Sequence, residues 1–210
     1  MIHIAVLASG RGSNFQAIIN GVKEGDINGK IEVLITDNPD AKAIERAKKN
    51  KIPFEVVERK NFKERIEMDQ RIKAILDSHN IDLVVLAGYM RIIKSKELLA
   101  SYKNKIINIH PSLLPSFGGN TTAQKDAFDY GCKISGLTIH FVTLDVDAGP
   151  IIYQEAVDIS DCRDETEVSL KILKHENKAY RKVVADFSKG TYVIKEGRRT
   201  QFIHFPIKKH

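Results

Sequence analysis

Ile106-Ile107-Asn108-Ile109-His110-Pro111-Ser112-Leu113-Leu114-Pro115 is an apolar run that carries a carboxamide and an imidazole two positions apart and then stops at a proline. In an extended strand, residues i and i+2 face the same way. Asn108 and His110 are therefore expected side by side at the end of a strand. Pro111 and Pro115 lack backbone donors and restrict the residue before each of them, which marks the exit from the strand. An amide donor beside a titratable imidazole is what a reaction through a tetrahedral oxyanion requires.

Outward from this run the chain repeats a pattern. Apolar runs at 2–7, 31–36, 52–57 and 83–87 precede it, separated by amphipathic stretches at 15–22, 41–49, 61–79 and 95–102. Continuous apolar strands alternating with helices predict a mostly parallel sheet covered by helices on both faces, an α/β, Rossmann-like fold. Pro53 puts the third strand at an edge or at a strand start. After Pro115 the pattern changes. Residues 134–143 and 151–157 read as strands joined by a loop short enough for a hairpin, so antiparallel strands are expected in the C-terminal half. The longest helix is expected over 165–187, started by Asp164, and a late strand pair at 191–194 and 201–205. Ser13 with Gln16, Asn61 with Glu64, and Thr121 with Gln124 fit helix-capping pairs. Residues 116–120 are expected to form a flexible loop. No Pro/Gly/Ser-rich linker divides the chain, so 1–210 is expected to be a single domain with a phosphate-binding half over about 1–100 and a catalytic half over about 101–210.

With 42% hydrophobic and 29% charged residues the chain is globular. The net charge of +6 is spread through helical patterns beside Glu and Asp, without a basic arm, so solvated helix faces are expected and no nucleic-acid partner. The excess gives a mild bias toward anionic ligands. Cys132 and Cys162 make neither a disulfide framework nor a CxxC, which fits a reducing compartment. No basic region precedes residues 2–7 and no apolar stretch is long enough to span a bilayer, so a cytoplasmic protein with no membrane partner is expected.

Ala8-Ser9-Gly10-Arg11-Gly12-Ser13-Asn14 lies between the first strand and the first helix. Backbone N–H groups and the positive end of a helix suit an anion there. The dinucleotide fingerprint fails because Phe15 stands at its third glycine, and the Gly-Lys-Ser/Thr of a Walker loop is absent. Asp37, at the end of the second strand, keeps an NAD reading open. What remains is a cradle, Gly12, Ser13 and Asn14, suited to one phosphate on a small molecule; a tight turn with no ligand is the alternative. Asp147, in a loop bounded by Gly149-Pro150, can reach the same sheet edge as Asn108 and His110, where open α/β sheets bind ligands. The three would supply an oxyanion donor, a proton-handling imidazole and a carboxylate that orients or charges it. A turn asparagine and a satisfied core histidine are the bland alternative. No G-x-S-x-G is present, so direct transfer between two bound substrates is expected. His110, His140 and His175 lack HExxH spacing, and no metal is expected.

Further segments stand with these: Ala87-Gly88-Tyr89-Met90-Arg91-Ile92-Ile93, His140-Phe141-Val142 and Asp145-Val146-Asp147-Ala148-Gly149-Pro150-Ile151-Ile152. Together with the glycine loop and the opening run, the set resembles the folate-dependent phosphoribosylglycinamide formyltransferase family, in order and spacing from residue 2 to about 185. The resemblance implies transfer of a formyl group from 10-formyltetrahydrofolate, as co-substrate, to the amino group of glycinamide ribonucleotide in purine biosynthesis. Carried over by position, Gly12, Ser13, Asn14, Pro111 and Glu176 would bind the ribonucleotide. Met90, Arg91, Ile92, Ile93, Leu98, Val142 and Thr143 would line the folate pocket. Asn108, His110 and Asp147 match the catalytic trio. Small-molecule partners and a monomer or homodimer are implied. The sequence departs from the family pattern over 116–125, where several relatives carry a histidine, and at Asn177, where relatives often have His. The nearest rival is a formyltetrahydrofolate deformylase, which uses water in place of the amine; such enzymes usually have an N-terminal regulatory domain and a second His where Pro111 stands. A non-catalytic folate- or nucleotide-binding module is the other alternative, and the trio speaks against it.

Overall fold

A computed structural model describes residues 1–205; the last five residues of the expected 1–210 domain lie outside it. The apolar runs become β1 (Ile2–Leu7), β2 (Gly29–Thr36), β3 (Phe54–Val56), β4 (Leu83–Leu86) and β5 (Ile106–His110). β6 (Ile134–Phe141) and β7 (Ile151–Asp158) complete a seven-stranded sheet of order β3-β2-β1-β4-β5-β6-β7. The pairs from β3 to β5 are parallel, and β5–β6 and β6–β7 are antiparallel. One continuous sheet thus runs through both halves of the chain. β3 is the edge strand that Pro53 requires, and it is shorter than expected.

Alternation along the strands divides the apolar residues between two cores. Ile4, Val6 and Ala8 face one core, with Phe15, Ile18 and Ile19 of α1 (Ser13–Lys23), Ala43 and Ala47 of α2 (Lys42–Lys49), Ala127 of α5 (Ala123–Asp129) and Val168, Ile172 and Tyr180 of α6 (Glu165–Phe187). Ala5 and Leu7 face the other, with Met68, Ile72 and Leu76 of α3 (Arg65–Ser78) and Leu98 of α4 (Lys96–Ser101). The fully buried Tyr180 ties α6 to the sheet: its hydroxyl lies 2.9 Å from the Leu86 carbonyl and 3.1 Å from that of Ile107. The late strand pair is β8 (Gly190–Ile194) with β9 (Thr200–His204), antiparallel and separate from the main sheet.

Asp164 caps α6 as expected, its side chain accepting the Glu167 N–H. The other three caps differ. Gly12, in a left-handed conformation, precedes α1; Ser13 enters the helix and Gln16 turns to Asn20 and Arg46. A 3-10 turn occupies Arg59–Asn61, and the capping box of α3 is Glu64 with Glu67. A carboxylate at 67 can reach back to the free N–H groups before the helix, so Glu64 outcompetes Asn61. Thr122, not Thr121, precedes α5 and gives its hydroxyl to Asp126. Within the amphipathic stretch of 61–79, Ile72 and Leu76 are buried while Ile66 is 45% exposed. β6 ends two residues early, because Val142 and Thr143 turn into the cleft described next.

Candidate active site

The loops that leave β1, β4 and β5 enclose a cleft of ≈ 600 Å³, a size suited to small molecules. It opens at the carboxyl ends of these strands, where the sheet order reverses between β1 and β4. The loops are laced together: the Ser9 N–H donates to the Gly88 carbonyl at 3.0 Å and the Met90 N–H to Ser9 Oγ at 2.9 Å. Gly12, Ser13 and Asn14 form one wall, with Glu176 of α6 and Pro111 facing the same space. Met90, Arg91, Ile92, Ile93, Val142 and Thr143 line the other part. Leu98 is the exception. It is fully buried in the second core together with Ile93 and does not reach the cleft wall. It is the buried residue of α4 and belongs to the core that also holds Ile93. Arg91 donates from Nε to Asp37 Oδ2 at 2.6 Å, so the acid that kept an NAD reading open is engaged within the protein.

Asn108 and His110 share a face of β5, and antiparallel pairing sets His140 of β6 directly opposite Asn108. The hydrogen bonds then define a connected cluster. His110 Nε2 lies 2.9 Å from the Phe117 carbonyl and Nδ1 lies 3.2 Å from Asp147 Oδ2. A carbonyl and a carboxylate accept only, so each contact calls for an N–H on the ring nitrogen it faces. The Gly119 N–H also donates to Asp147 Oδ2, at 3.0 Å. His140 Nδ1 faces the Phe141 carbonyl at 2.9 Å, and its Nε2 stands 3.4 Å from Asn108 Nδ2 and 3.5 Å from Asp147 Oδ1. The trio is therefore joined through Asp147 and a second imidazole. Burial works to raise the Asp147 carboxyl, but the His140 contact, the Gly119 N–H and the charges of the two imidazoles outweigh it and hold the group below its ordinary value.

Asp147 has φ of 50°, a left-handed conformation that aspartate tolerates. Two residues on, a Cβ at Gly149 would stand 1.6 Å from the Phe141 carbonyl oxygen and 3.4 Å from His140 Nδ1. Gly149→Ala is expected to push the Asp147 loop off the sheet and cost about 1–3 kcal/mol or more. Thermal melting checks this: a Tm several degrees lower is expected, and an unchanged Tm would contradict the packing described.

Glu176, 7% exposed, accepts the Asn14 Nδ2 hydrogen at 3.2 Å. Burial pushes its carboxyl up, opposed by that amide. A carboxyl raised in the folded state costs stability as the pH climbs through the unfolded value of about 4.3, and the cost is complete above the folded value. Glu176→Gln keeps an amide-accepting oxygen and removes the cost. The Tm of the variant relative to the parent is expected to rise between acid pH and pH about 8. A difference independent of pH would show that Glu176 does not ionise against its burial.

The formyl transferase family model matches residues 2–184. The chain belongs to the formyl transferase family. This formyl transferase is 42% identical over 184 residues to the phosphoribosylglycinamide formyltransferase of Bacillus subtilis, covering 88% of this chain and 93% of that one. It is 41% identical over 196 residues to the enzyme of the same name from Haemophilus influenzae, covering 93% and 92%. The crystal structure of glycinamide ribonucleotide transformylase 1 from Symbiobacterium toebii superposes with a TM-score of 0.92 at 40% identity, covering 97% of this chain and 94% of that one.

Two features of the formyl transferase site have no local signal in the sequence. His140 was visible only as part of a motif; its place opposite Asn108 depends on strand register. The 116–120 segment, expected to be a flexible loop, instead presents the Phe117 carbonyl and Gly119 N–H to His110 and Asp147. Its side chains carry no signal for this because the contacts are made by the backbone. Among the described residues no helix is long and apolar enough to cross a membrane.

Proposed function

We propose that this chain transfers the formyl group of 10-formyltetrahydrofolate to the amino group of glycinamide ribonucleotide, by direct attack and through a tetrahedral intermediate. The observation that carries the reading is that one cleft holds both an anion cradle at Ser9–Asn14 and the Asn108–His110–Asp147 cluster. Relatives named for this reaction support it.

In this reading the phosphate of the ribonucleotide rests on Gly12, Ser13 and Asn14, with Glu176 and Pro111 along the rest of the molecule. The folate lies against Met90–Ile93, Val142 and Thr143, while Leu98 backs Ile93. The amine attacks the formyl carbon and a new C–N bond forms. The oxyanion takes hydrogen bonds from Asn108 and from the His110 Nε2–H, which exchanges the Phe117 carbonyl for the substrate while Nδ1 stays on Asp147. Asp147 faces and orients the His110 imidazole. The C–N bond to the folate then breaks as the proton lost by the attacking nitrogen reaches the departing one, with Asp147 or water as carrier. The cysteines do not line the cleft, and no covalent intermediate on the chain is required. The chain acts as a single domain on small molecules in the cytoplasm, as a monomer or homodimer.

The test is to supply 10-formyltetrahydrofolate with and without glycinamide ribonucleotide and follow tetrahydrofolate. Product formed only with the ribonucleotide is the expected result. Product formed equally without it would assign the cleft to hydrolysis, and no product in either case would remove both readings.

A further inference from the structure

The glycine loop is held in an unusual way. Four successive carbonyls are each engaged by a donor of the protein: Ser9 by Asn38 Nδ2 at 3.3 Å, Gly10 by the Ala43 N–H at 3.1 Å, Arg11 by Arg46 Nε at 2.9 Å and Gly12 by the Gln16 N–H at 2.9 Å. In a trans peptide the C=O of residue i and the N–H of residue i+1 point in opposite directions. Fixing these four carbonyls toward β2, α2 and the body of α1 therefore fixes the N–H groups of Gly10, Arg11, Gly12 and Ser13 the other way. Among the described residues none of these four N–H groups has an acceptor, and all four residues line the cleft. Beside them Asn14, 6% exposed and on the same wall, keeps an Oδ1 with no partner. Four unspent donors and one unspent acceptor fit a ligand that joins an anionic group to a hydroxyl or amine.

We infer that Arg46, with Asn38 in a lesser part, is a positioning residue for the phosphate of the ribonucleotide; this rests on the reading of the cradle given above. Arg46 lies behind the loop and outside the cleft lining, so it acts through the peptide it turns. Its two contacts need a planar fork. Nε donates to the Arg11 carbonyl while Nη1 donates to Gln16 Oε1 at 3.0 Å, which also locks the first turn of α1. A lysine at this position carries the same charge as a point and cannot make both bonds. The fit is close: a Cβ on Gly12 would stand 3.0 Å from Ala43 Cβ and 3.4 Å from Arg46 Cδ. The phosphate preference is thus built by α2 and the turn before it, none of whose residues line the cleft.

Arg46→Lys tests this, with steady-state kinetics on glycinamide ribonucleotide and on its dephosphorylated riboside. The KM for the ribonucleotide is expected to rise about 10-fold or more, as for loss of a charge-assisted hydrogen bond, with kcat within about twofold of the parent. The KM for the riboside and that for the folate should stay unchanged, and inorganic phosphate should compete less well by the same factor as the ribonucleotide. Asn14→Ala, inside the cradle, serves as the reference. If Asn14→Ala raises the ribonucleotide KM and Arg46→Lys does not, the positioning role fails and the cradle stands. If neither moves it, the cradle reading fails as well. Equal losses on ribonucleotide and riboside would mean that Arg46 supports the fold alone. Should Arg46→Lys fold poorly, Asn38→Ala is read in the same way: a smaller KM rise confined to the phosphorylated substrate upholds the proposal, and none overturns it.

Discussion

His110→Ala is expected to lower kcat by about 10³–10⁴ while the ribonucleotide still binds. Removing one preorganised oxyanion donor costs about 10²–10³, and losing a positioned proton-transfer group costs about 10²–10⁴. The two losses overlap, because both reflect the same imidazole. His110 is 5% exposed, and its loss would leave the Phe117 carbonyl without its imidazole partner and Asp147 without its nearer imidazole. Some loss of Tm should accompany the kinetic effect, so activity is measured below the melting transition. The ribonucleotide affinity separates the two effects, because the cradle lies on another loop and draws its donors from residues 10–13. A variant that keeps a tenth or more of the parent kcat would remove His110 from the chemistry, since that loss is no more than about 1.4 kcal/mol of barrier.

Asp147→Asn is the second large effect, expected at about 10²–10³ in kcat, because it removes the carboxylate charge that faces and orients the His110 imidazole at Nδ1. Asparagine also tolerates the left-handed conformation at this position, so the loop should keep its shape. The pH dependence of stability checks the assignment independently of turnover. Asp147 is held below its ordinary value in the folded chain. Its contribution is therefore present above the unfolded value of about 3.9 and is lost as the pH falls through the folded one. The variant should melt below the parent at neutral pH, and the gap should close in acid. A gap that is constant with pH would mean that the carboxylate is not stabilised by its neighbours.

Much of this architecture was legible because the signals are local. Apolar runs such as 83–87 and 106–110 can be buried strands only if helices cover both faces, and that fixed the α/β reading. Asn108 and His110 share a face by strand periodicity alone, and the position of Asp147 after a strand placed it at the same edge. The misses share a different cause. The partnership of His140 with Asn108 and Asp147 depends on strand register, which turns and long-range packing set. The roles of Phe117 and Gly119 are carried by peptide groups, which every residue has. The cap before α1 differs from the expected one because a Ser/Gln pair is a favourable local option that the loop gives up: with its carbonyls drawn outward by Asn38, Ala43 and Arg46, Gly12 takes the left-handed conformation and Ser13 enters the helix. Leu98 was carried over by position, and the inward face of α4 moved it into the core.

The most direct test of the central claim follows the formyl group itself. The enzyme is mixed with substoichiometric 10-formyltetrahydrofolate labelled in the formyl carbon and with excess glycinamide ribonucleotide, and the single turnover is quenched in acid at successive times. Direct transfer in the Asn108–His110–Asp147 cluster requires the label to pass from folate to the ribonucleotide amine in step with tetrahydrofolate, with none held on the protein at any time and none released as formate. Label that accumulates on the chain before reaching the ribonucleotide, or that leaves as formate in the presence of the amine, would contradict it.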